Sequence, residues 1–168
     1  MAKMQAEEVP NEVQRRSLRK PEGFGDCSPR AGGNKVQETI ASKNKALVLE
    51  AFDTLFNKRD YAAAERFWSP HYIQHSAHIE PGRDGLFSLI QSIPPTLKYE
   101  PGVVVAEGDF VIVHGRFPSL GRSVNWIAAD ILRIENEMLV EHWDVIQDEA
   151  TRASSKSGLP MFGDTFRA

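Results

Sequence analysis

The sequence lacks the features that would link it to a membrane, to nucleic acid or to an oxidising compartment. It has a single cysteine, Cys27, so no internal disulfide can form. No apolar run approaches the roughly 18 residues that a transmembrane helix needs. The formal net charge is −3, which provides no electrostatic basis for binding nucleic acid or an anionic membrane. Because the N-terminus also lacks an apolar signal core, we expect a cytoplasmic protein with neither of these partners.

Several motifs of catalysis and cofactor binding are missing as well. The sequence contains no phosphate-binding loop, no dinucleotide fingerprint and no serine in a nucleophile elbow. Three imidazole groups lie close together in the sequence, at His71, His75 and His78, but their spacing does not match a standard zinc site. We therefore predict that the protein uses neither a metal nor a cofactor.

The composition indicates one globular domain with a tail at each end. A hydrophobic content of 41% and a charged content of 26% in 168 residues suit a single domain with a substantial core. Residues 1–41 contain proline, glycine and a basic cluster at residues 15–20 but few large apolar side chains, so we predict a mobile tail. The cluster is either a solvated linker or a docking or targeting signal. The domain is expected over residues 42–148, followed by a C-terminal tail, residues 149–168, whose apolar residues 159–162 fold back on it.

The first half of the domain has helical periodicity. Ser42 is a suitable N-cap for a helix of about 16 residues with one apolar stripe. Asp60 can cap a short second helix that ends at Ser69. A short extended piece follows over residues 71–75, and a third helix runs from a turn at residues 81–85 to Pro94.

The second half of the domain has the alternation typical of strands. We predict four of them, over residues 97–105, 110–117, 123–134 and 138–147. Short connections between consecutive strands predict an antiparallel meander. The fold class is therefore α+β, with helices packed on one face of a curved sheet.

Asp130 is the leading candidate for chemistry. It lies in a strand that is apolar on both faces, and it faces the same way as Trp126 and Leu132. A buried carboxyl has a raised pKa unless a cation or a hydrogen bond compensates, and a raised pKa suits a general acid/base near neutral pH. The alternative is a structural aspartate paired with Arg116 or Arg133.

His114 is the candidate partner of Asp130. An imidazole on the neighbouring strand could form an Asp-His dyad in which the carboxylate fixes the ring tautomer. A strand pairing centred on residues 119–121 puts His114 opposite about residue 126, a few residues from Asp130. The pairing register therefore leaves the dyad and an isolated core histidine equally open.

The segment 141–147, which reads Glu-His-Trp-Asp-Val-Ile-Gln, is unusual for a strand because it carries two acids and an imidazole. His142 and Asp144 share one face, and Glu141 and Trp143 share the other. Titratable side chains on an apolar strand are costly unless they are paired, exposed or lining a pocket. Period-2 alternation does not decide which face looks inward.

Five segments together resemble the SnoaL-like polyketide cyclase family, which belongs to the nuclear transport factor 2-like superfamily. The segments are residues 72–75, 82–85, 113–116, 130–133 and 141–147. The resemblance covers about residues 43–148 and implies a cone-shaped α+β fold, with three N-terminal helices packed on a curved antiparallel sheet. It also implies ring closure by intramolecular aldol condensation, without metal or cofactor, in a cavity between sheet and helices.

The resemblance also implies roles for individual residues. It assigns the general acid/base to Asp130, with His114 as its candidate neighbour. The residues it assigns to the pocket lining are Gln74, His75, His142, Trp143 and Asp144. Beside that assignment, the aromatic side chains of Trp126, Trp143 and Phe110 are suited to wall a flat substrate.

Three functions follow from these residues. The leading hypothesis is a cofactor-independent lyase or isomerase that acts on a small, polyketide-like carbonyl substrate. The second is a non-catalytic module of the same fold that binds a small molecule or dimerises. The third is an epoxide hydrolase or dehydratase in which Asp130 or Asp144 activates water.

We expect a homodimer, because apolar residues opposite the pocket need covering; the candidates are Asn125, Ile127, Ala129 and Ile131.

Overall fold

The computed structural model describes residues 39–96, 98–118 and 124–167. The predicted mobile tail, up to residue 38, lies outside this part of the chain, as do residues 119–123. The described residues form three α-helices, five strands and one π-helical turn. They are α1 (Ile40–Phe52), the π-helical turn (Asp53–Lys58), α2 (Tyr61–Ala64), β1 (Trp68–Gln74), α3 (Gly82–Ser92), β2 (Glu100–Glu107), β3 (Phe110–Phe117), β4 (Trp126–Glu135) and β5 (Met138–Asp148). The predicted α+β class and the order of helices and strands are confirmed.

The five strands form one sheet in the order β1-β5-β4-β3-β2. The meander from β2 to β5 is antiparallel, as predicted. Two-residue turns connect β2 to β3 and β4 to β5. Positive φ angles at Gly108, Asn136 and Glu137 give these turns the twist that a hairpin requires. Strand β1 pairs with β5 in parallel, which the sequence did not predict. This pairing adds residues from the first half of the domain to the edge of the meander.

Helix α1 begins earlier than predicted and ends in a wider turn. Thr39, not Ser42, is its N-cap: the Thr39 hydroxyl accepts a hydrogen bond from the Ser42 backbone N–H at 3.1 Å. Thr39 satisfies a free amide because its extended backbone points the side chain at the first turn. The helix continues into the π-helical turn, which ends at Arg59 with a left-handed φ of 60°. The Arg59 side chain donates to the carbonyl groups of Phe56, Ile93 and Pro94, and so joins the ends of two helices.

The core lies between the helices and one face of the sheet, which we call the inner face. From the helices, Val48, Leu55 and Ile90 are almost fully buried. From the sheet, Val113 and Leu132 are fully buried against them.

Asp60 caps α2 as predicted, its carboxylate accepting from the Ala63 N–H, but that helix is only one turn long. No helix in the described part of the chain is long and apolar enough to cross a membrane.

The C-terminal segment folds back on the domain, as predicted. Arg116, only 4% exposed, forms ion pairs with Glu149 and Glu100, and its guanidinium lies 4.5 Å from the ring of Phe162. The backbone N–H of Ala150 also donates to the sulfur of Met161. These contacts fix residues 149–162 on the far side of β3, away from the helices.

Candidate functional site

The inner face of the sheet carries both carboxyl groups of the site. In the antiparallel pairing of β4 with β5, Asp130 lies opposite Asp144 and Leu132 opposite His142. A bulge interrupts this pairing, because Arg133 pairs with Glu141 whereas the next residue, Ile134, pairs with Leu139. The extra residue reverses the alternation of β5, as bulges next to functional sites often do. His142 and Asp144 therefore point inward.

A pocket opens between this face and the helices. The empty space inside it, counted together with the solvent in its open mouth, is about 780 Å³. Most of its wall is aromatic or aliphatic: Phe52, Phe56, Trp68, Ile79, Leu86, Leu89, Ile90, Ile93, Phe117, Pro118, Trp126 and Ile146. The polar residues on its wall are Arg59, Ser76, His78, Lys98, Tyr99, Asp130, His142 and Asp144.

Asp130 lies at the base of the pocket with both carboxyl oxygens engaged. Its residue is 3% exposed, and Oδ1 lies 3.2 Å from His142 Nε2. The Tyr99 hydroxyl donates to Oδ2 at 3.5 Å, at the long limit for a hydrogen bond. Burial raises the pKa of the Asp130 carboxyl, the His142 imidazole opposes the rise, and the charge of Asp144 adds to it. Neither Arg116 nor Arg133 pairs with Asp130, because each is bound to glutamates elsewhere.

His142 connects Asp130 to strand β1. Its Nδ1 lies 2.8 Å from Gln74 Oε1, and this oxygen also accepts a hydrogen bond from the Ser76 backbone N–H at 2.9 Å. The parallel pairing of Gln74 with His142 brings these residues together. The result is a continuous chain of polar contacts from Ser76 through the partly buried Gln74 to the buried Asp130.

Tyr99 reaches Asp130 because its backbone and ring are both held. The Asn57 side chain accepts from the Tyr99 N–H at 2.8 Å and donates to its carbonyl at 3.1 Å. The ring lies directly over Gly115, where a Cβ atom would be only 2.1 Å from the Tyr99 hydroxyl oxygen. Burial raises the pKa of Tyr99 well above its usual range, and the charge of Asp130 raises it further, so Tyr99 remains a donor.

Asp144 differs from Asp130 in its surroundings. It is half-buried on the pocket wall, and it makes no hydrogen bond or ion pair to any described residue. Cross-strand neighbours have Cβ atoms about 4.5–5.5 Å apart, so the two carboxyls repel each other when both are charged. The charge of Asp144 therefore favours the protonated form of the Asp130 carboxyl, the form that a general acid requires.

The structure corrects the predicted Asp130–His114 dyad. His114 pairs with Ala129, not with a residue near 126, so it lies on the outer face of the sheet. Its ring contacts Phe162 of the C-terminal segment, with 5.5 Å between ring centroids. The imidazole beside Asp130 is that of His142.

Two residues predicted to line the pocket also lie on the outer face. Trp143 pairs with Ile131, and His75 stacks on the Trp143 indole at 4.8 Å with an interplanar angle of 3°. His75 Nε2 also lies 2.9 Å from Glu141 Oε1, within hydrogen-bonding distance. Phe110 lies beside Trp143, so it does not wall the pocket either. Of the predicted residues, Gln74, Trp126, Asp130, His142 and Asp144 are brought together on the inner side.

Sequence reasoning missed the contributions of Tyr99, Ser76 and Gly115. One signal for Tyr99 was available: Gly115 interrupts a strand of β-branched residues, and a glycine there often marks the close approach of another group. The role of Ser76 is carried by its backbone amide, which no sequence motif displays. Among the described residues, no three His, Cys, Asp or Glu side chains are arranged to hold a metal ion.

The fold and site together define a mixed α+β protein with an apolar pocket that ends at a buried carboxyl–imidazole pair. The profile of the SnoaL-like domain family matches residues 48–142, more than half of the chain. The chain therefore belongs to the SnoaL-like domain family. No curated protein matches the sequence.

Solved structures share the NTF2-like (nuclear transport factor 2-like) fold. AclR from Streptomyces galilaeus, a proposed hydroxylase, is 26% identical with a TM-score of 0.53, and the match covers 64% of this chain and 80% of AclR. A proposed ketosteroid isomerase from Kribbella flavida is 17% identical with a TM-score of 0.59, covering 77% of this chain and 98% of its own. A proposed SnoaL-like polyketide cyclase from Jannaschia is 21% identical with a TM-score of 0.53, covering 68% and 92%. The last two likenesses concern the fold alone.

Proposed function

We propose that the protein is a cofactor-independent enzyme that transfers protons on a small carbonyl compound, with Asp130 as the general acid/base. The observation that carries this proposal is the Asp130 carboxyl itself, buried at the end of an apolar pocket and in contact with His142 and Tyr99. A structural aspartate with this burial would be expected to pair with a cation, and both neighbouring arginines are engaged elsewhere.

The chemistry is the breaking of a C–H bond next to a carbonyl group. The proton passes to the ionised carboxylate of the Asp130–Asp144 pair, and the electron pair of the bond moves onto the carbonyl oxygen as an enolate. The protonated carboxyl of that pair donates to this oxygen, and the apolar wall limits competing water. Attack of the enolate on a second carbonyl would close a ring, whereas return of a proton at another carbon would shift a double bond. The names polyketide cyclase and ketosteroid isomerase, carried by two of the relatives, are compatible with these outcomes.

The lining of the pocket supports a flat, largely apolar substrate. Trp126 and Phe117 provide aromatic walls, and His142 and Asp144 lie on the same wall as Asp130. Flat rings stack on such walls while a few polar groups fix their orientation. A small polyketide-like ketone satisfies both conditions.

Exchange of α-protons with solvent tests the proposal without knowledge of the natural substrate. The ketone 2-tetralone, a flat bicyclic probe, is incubated in D₂O with enzyme, and deuterium uptake next to the carbonyl is followed by ¹H NMR. We expect the wild type to accelerate uptake and Asp130→Asn to lose about 10²–10⁴-fold of that acceleration. The matched control is His114→Gln, on the outer face, which should keep the wild-type rate. An Asp130→Asn variant as fast as the wild type, or a wild type that gives no acceleration, would overturn the assignment.

A water-adding enzyme, an epoxide hydrolase or dehydratase, is the second candidate. It is supported by Asp144, a half-buried carboxyl beside Asp130 that binds no described residue and could hold a water molecule. With styrene oxide as probe in H₂¹⁸O, this function predicts catalysed formation of diol carrying the heavy oxygen. A pure binding module predicts that both probes are recovered unchanged.

A homodimer through the outer face of the sheet is part of the proposal. Val105, Ile112, Ile131 and Trp143 form one row across four strands, and Val105 and Ile112 are 52% and 38% exposed. A second copy related by a two-fold axis would cover this row with the same row. Light scattering of the full chain should give the mass of a dimer, and Ile112→Lys that of a monomer. Ile40→Lys, at an equally apolar but separate exposed site, is the matched control; a monomeric wild type would contradict the proposal.

The cytoplasmic location expected from the sequence stays a prediction. Cell fractionation of the untagged protein tests it directly.

A further inference from the structure

The side-chain amide of Gln74 has a single orientation in the site. Its Oε1 atom accepts from the backbone N–H of Ser76 at 2.9 Å. A backbone N–H can only donate, so the oxygen of the amide and not its NH₂ group must face Ser76. The same oxygen lies 2.8 Å from Nδ1 of His142. Because an amide oxygen can only accept, Nδ1 must carry a hydrogen.

This hydrogen determines what the second ring nitrogen can do. A neutral imidazole has one N–H group and one lone pair, so a hydrogen on Nδ1 leaves Nε2 as an acceptor. Nε2 lies 3.2 Å from Oδ1 of Asp130. A hydrogen bond between a neutral His142 and Asp130 therefore requires the proton to be on the carboxyl. The only other arrangement is an imidazolium–carboxylate ion pair.

The surroundings favour the neutral arrangement. The side chains of His142 and Asp130 are 7% and 4% exposed, and removing two charges from water costs several kcal/mol for each ion. The group bound to Nδ1 is a neutral amide, which stabilises an imidazolium less than a carboxylate would. The titratable groups that act on Asp130 are His142 and Asp144 of β5 and Tyr99. Tyr72 of β1 also interacts with its charge.

We propose that Gln74 is a positioning residue that fixes His142 as the Nδ1–H tautomer and thereby keeps the shared proton on Asp130 at neutral pH. Asp130 then begins the cycle as a proton donor, and the group that removes the substrate proton is a different one, for which Asp144 is placed. The inference rests on the proposed acid/base function for its catalytic meaning. The location of the proton can be tested without any substrate.

NMR of the full-length protein labelled with ¹⁵N-histidine tests the proposal. Two-bond ¹H–¹⁵N correlation spectra distinguish the two neutral tautomers from the imidazolium, and the His142 signals are identified by their loss in His142→Gln. At pH 7 we expect a neutral ring with hydrogen on Nδ1 and none on Nε2. A ring with hydrogen on Nε2 alone, or an imidazolium, would overturn the proposal.

Two substitutions at Gln74 separate its electrostatic role from simple packing. Gln74→Leu, which keeps the side-chain volume but removes the acceptor, should convert His142 to the Nε2–H tautomer. Gln74→Glu, which keeps an acceptor and adds a charge, should raise the pH at which the ring protonates by at least about one unit. Gln91→Leu, the same change at an exposed position of α3, should leave the His142 signals unchanged.

The proposal fails if Gln74→Leu retains the wild-type tautomer. Should that variant not fold, the wild-type spectrum and Gln74→Glu still decide the matter. An absence of exchange with 2-tetralone would remove the proposed function but would not alter these spectra, so the two failures are distinguishable.

Discussion

The ring of Tyr99 occupies the space that a side chain at residue 115 would fill. A Cβ atom on Gly115 would lie 2.1 Å from the Tyr99 hydroxyl oxygen and 2.5 Å from two ring carbons. Gly115 lies in β3 between inward-facing Val113 and Phe117, so the missing side chain leaves a slot on the inner face of the sheet. The Tyr99 hydroxyl reaches Asp130 through that slot.

Gly115→Ala should therefore displace the Tyr99 ring and weaken the fold. Overpacking of this kind typically costs about 1–3 kcal/mol of unfolding free energy. The measurement is urea denaturation of the four members of a double-mutant cycle, wild type, Gly115→Ala, Tyr99→Leu and the double variant. We expect the cost of Gly115→Ala to fall below about 0.5 kcal/mol in the Tyr99→Leu background, because nothing remains to collide with. Equal costs in both backgrounds would show that the clash is not with Tyr99.

The buried carboxyl of Asp130 should make stability depend on pH in a defined direction. Burial raises its native pKa above the unfolded value of about 3.9. Between these two values the native chain binds more protons than the unfolded chain, so unfolding free energy falls as pH rises. The penalty is absent below the unfolded pKa and fully present above the native pKa.

Asp130→Asn should remove this dependence because an amide has no charge to bury. The difference in unfolding free energy between variant and wild type should grow from pH 4 to pH 8, by about 1.4 kcal/mol for each unit of pKa elevation. Urea titrations across that range measure it. Asp84→Asn, at a side chain that is 96% exposed, is the control and should give a small, constant difference. A constant difference for Asp130→Asn would contradict the assignment of a buried, proton-binding carboxyl.

The positions of the helices and strands were predictable from the sequence because they depend on residues that are close together in the chain. Alternating β-branched residues and a glycine turn define β3, whose predicted and observed bounds are both residues 110–117. The helix, helix, strand, helix order follows from apolar stripes, caps and prolines, which are also local. Alternation within one strand also placed Asp130 on the same face as Trp126 and Leu132, although it did not decide that this face looks inward.

The arrangement of the site depends on pairings that local signals do not contain. His114 pairs with residue 129 rather than about 126, and a shift by an odd number of residues moves a side chain to the opposite face. Gln74 and His142 are 68 residues apart and meet only through the parallel pairing of β1 with β5. The bulge opposite Arg133 adds one residue to β5 and reverses its alternation. The residue types of the site were therefore readable from the sequence, but their partners were not.

Arg116 should be the main anchor of the C-terminal segment. Its buried guanidinium binds Glu149, and Arg116→Met would leave that largely buried carboxylate without its cation. Loss of one partner of a buried ion pair costs about 3–5 kcal/mol. Arg167→Met is the matched control, because Arg167 pairs with Glu100 from a side chain that is 53% exposed, where pairs contribute about 0–1 kcal/mol. Urea denaturation compares the two, and similar losses for both variants would contradict a special role for Arg116.

Asp144 should contribute to catalysis while contributing little to stability. It makes no hydrogen bond to any described residue, so Asp144→Asn should change the unfolding free energy by less than about 0.5 kcal/mol. Removal of its negative charge should also lower the pKa of Asp130, since that charge favours the protonated form of the neighbouring carboxyl. If Asp144 is the base that removes the substrate proton, exchange of 2-tetralone protons in Asp144→Asn should slow by about 10²–10⁴-fold.

The measurements are urea denaturation, ¹³C NMR titration of the aspartate carboxyls and the exchange assay, with Asp84→Asn as the control in all three. A variant that lowers the Asp130 pKa but exchanges at the wild-type rate would limit Asp144 to electrostatic tuning and return the role of base to Asp130.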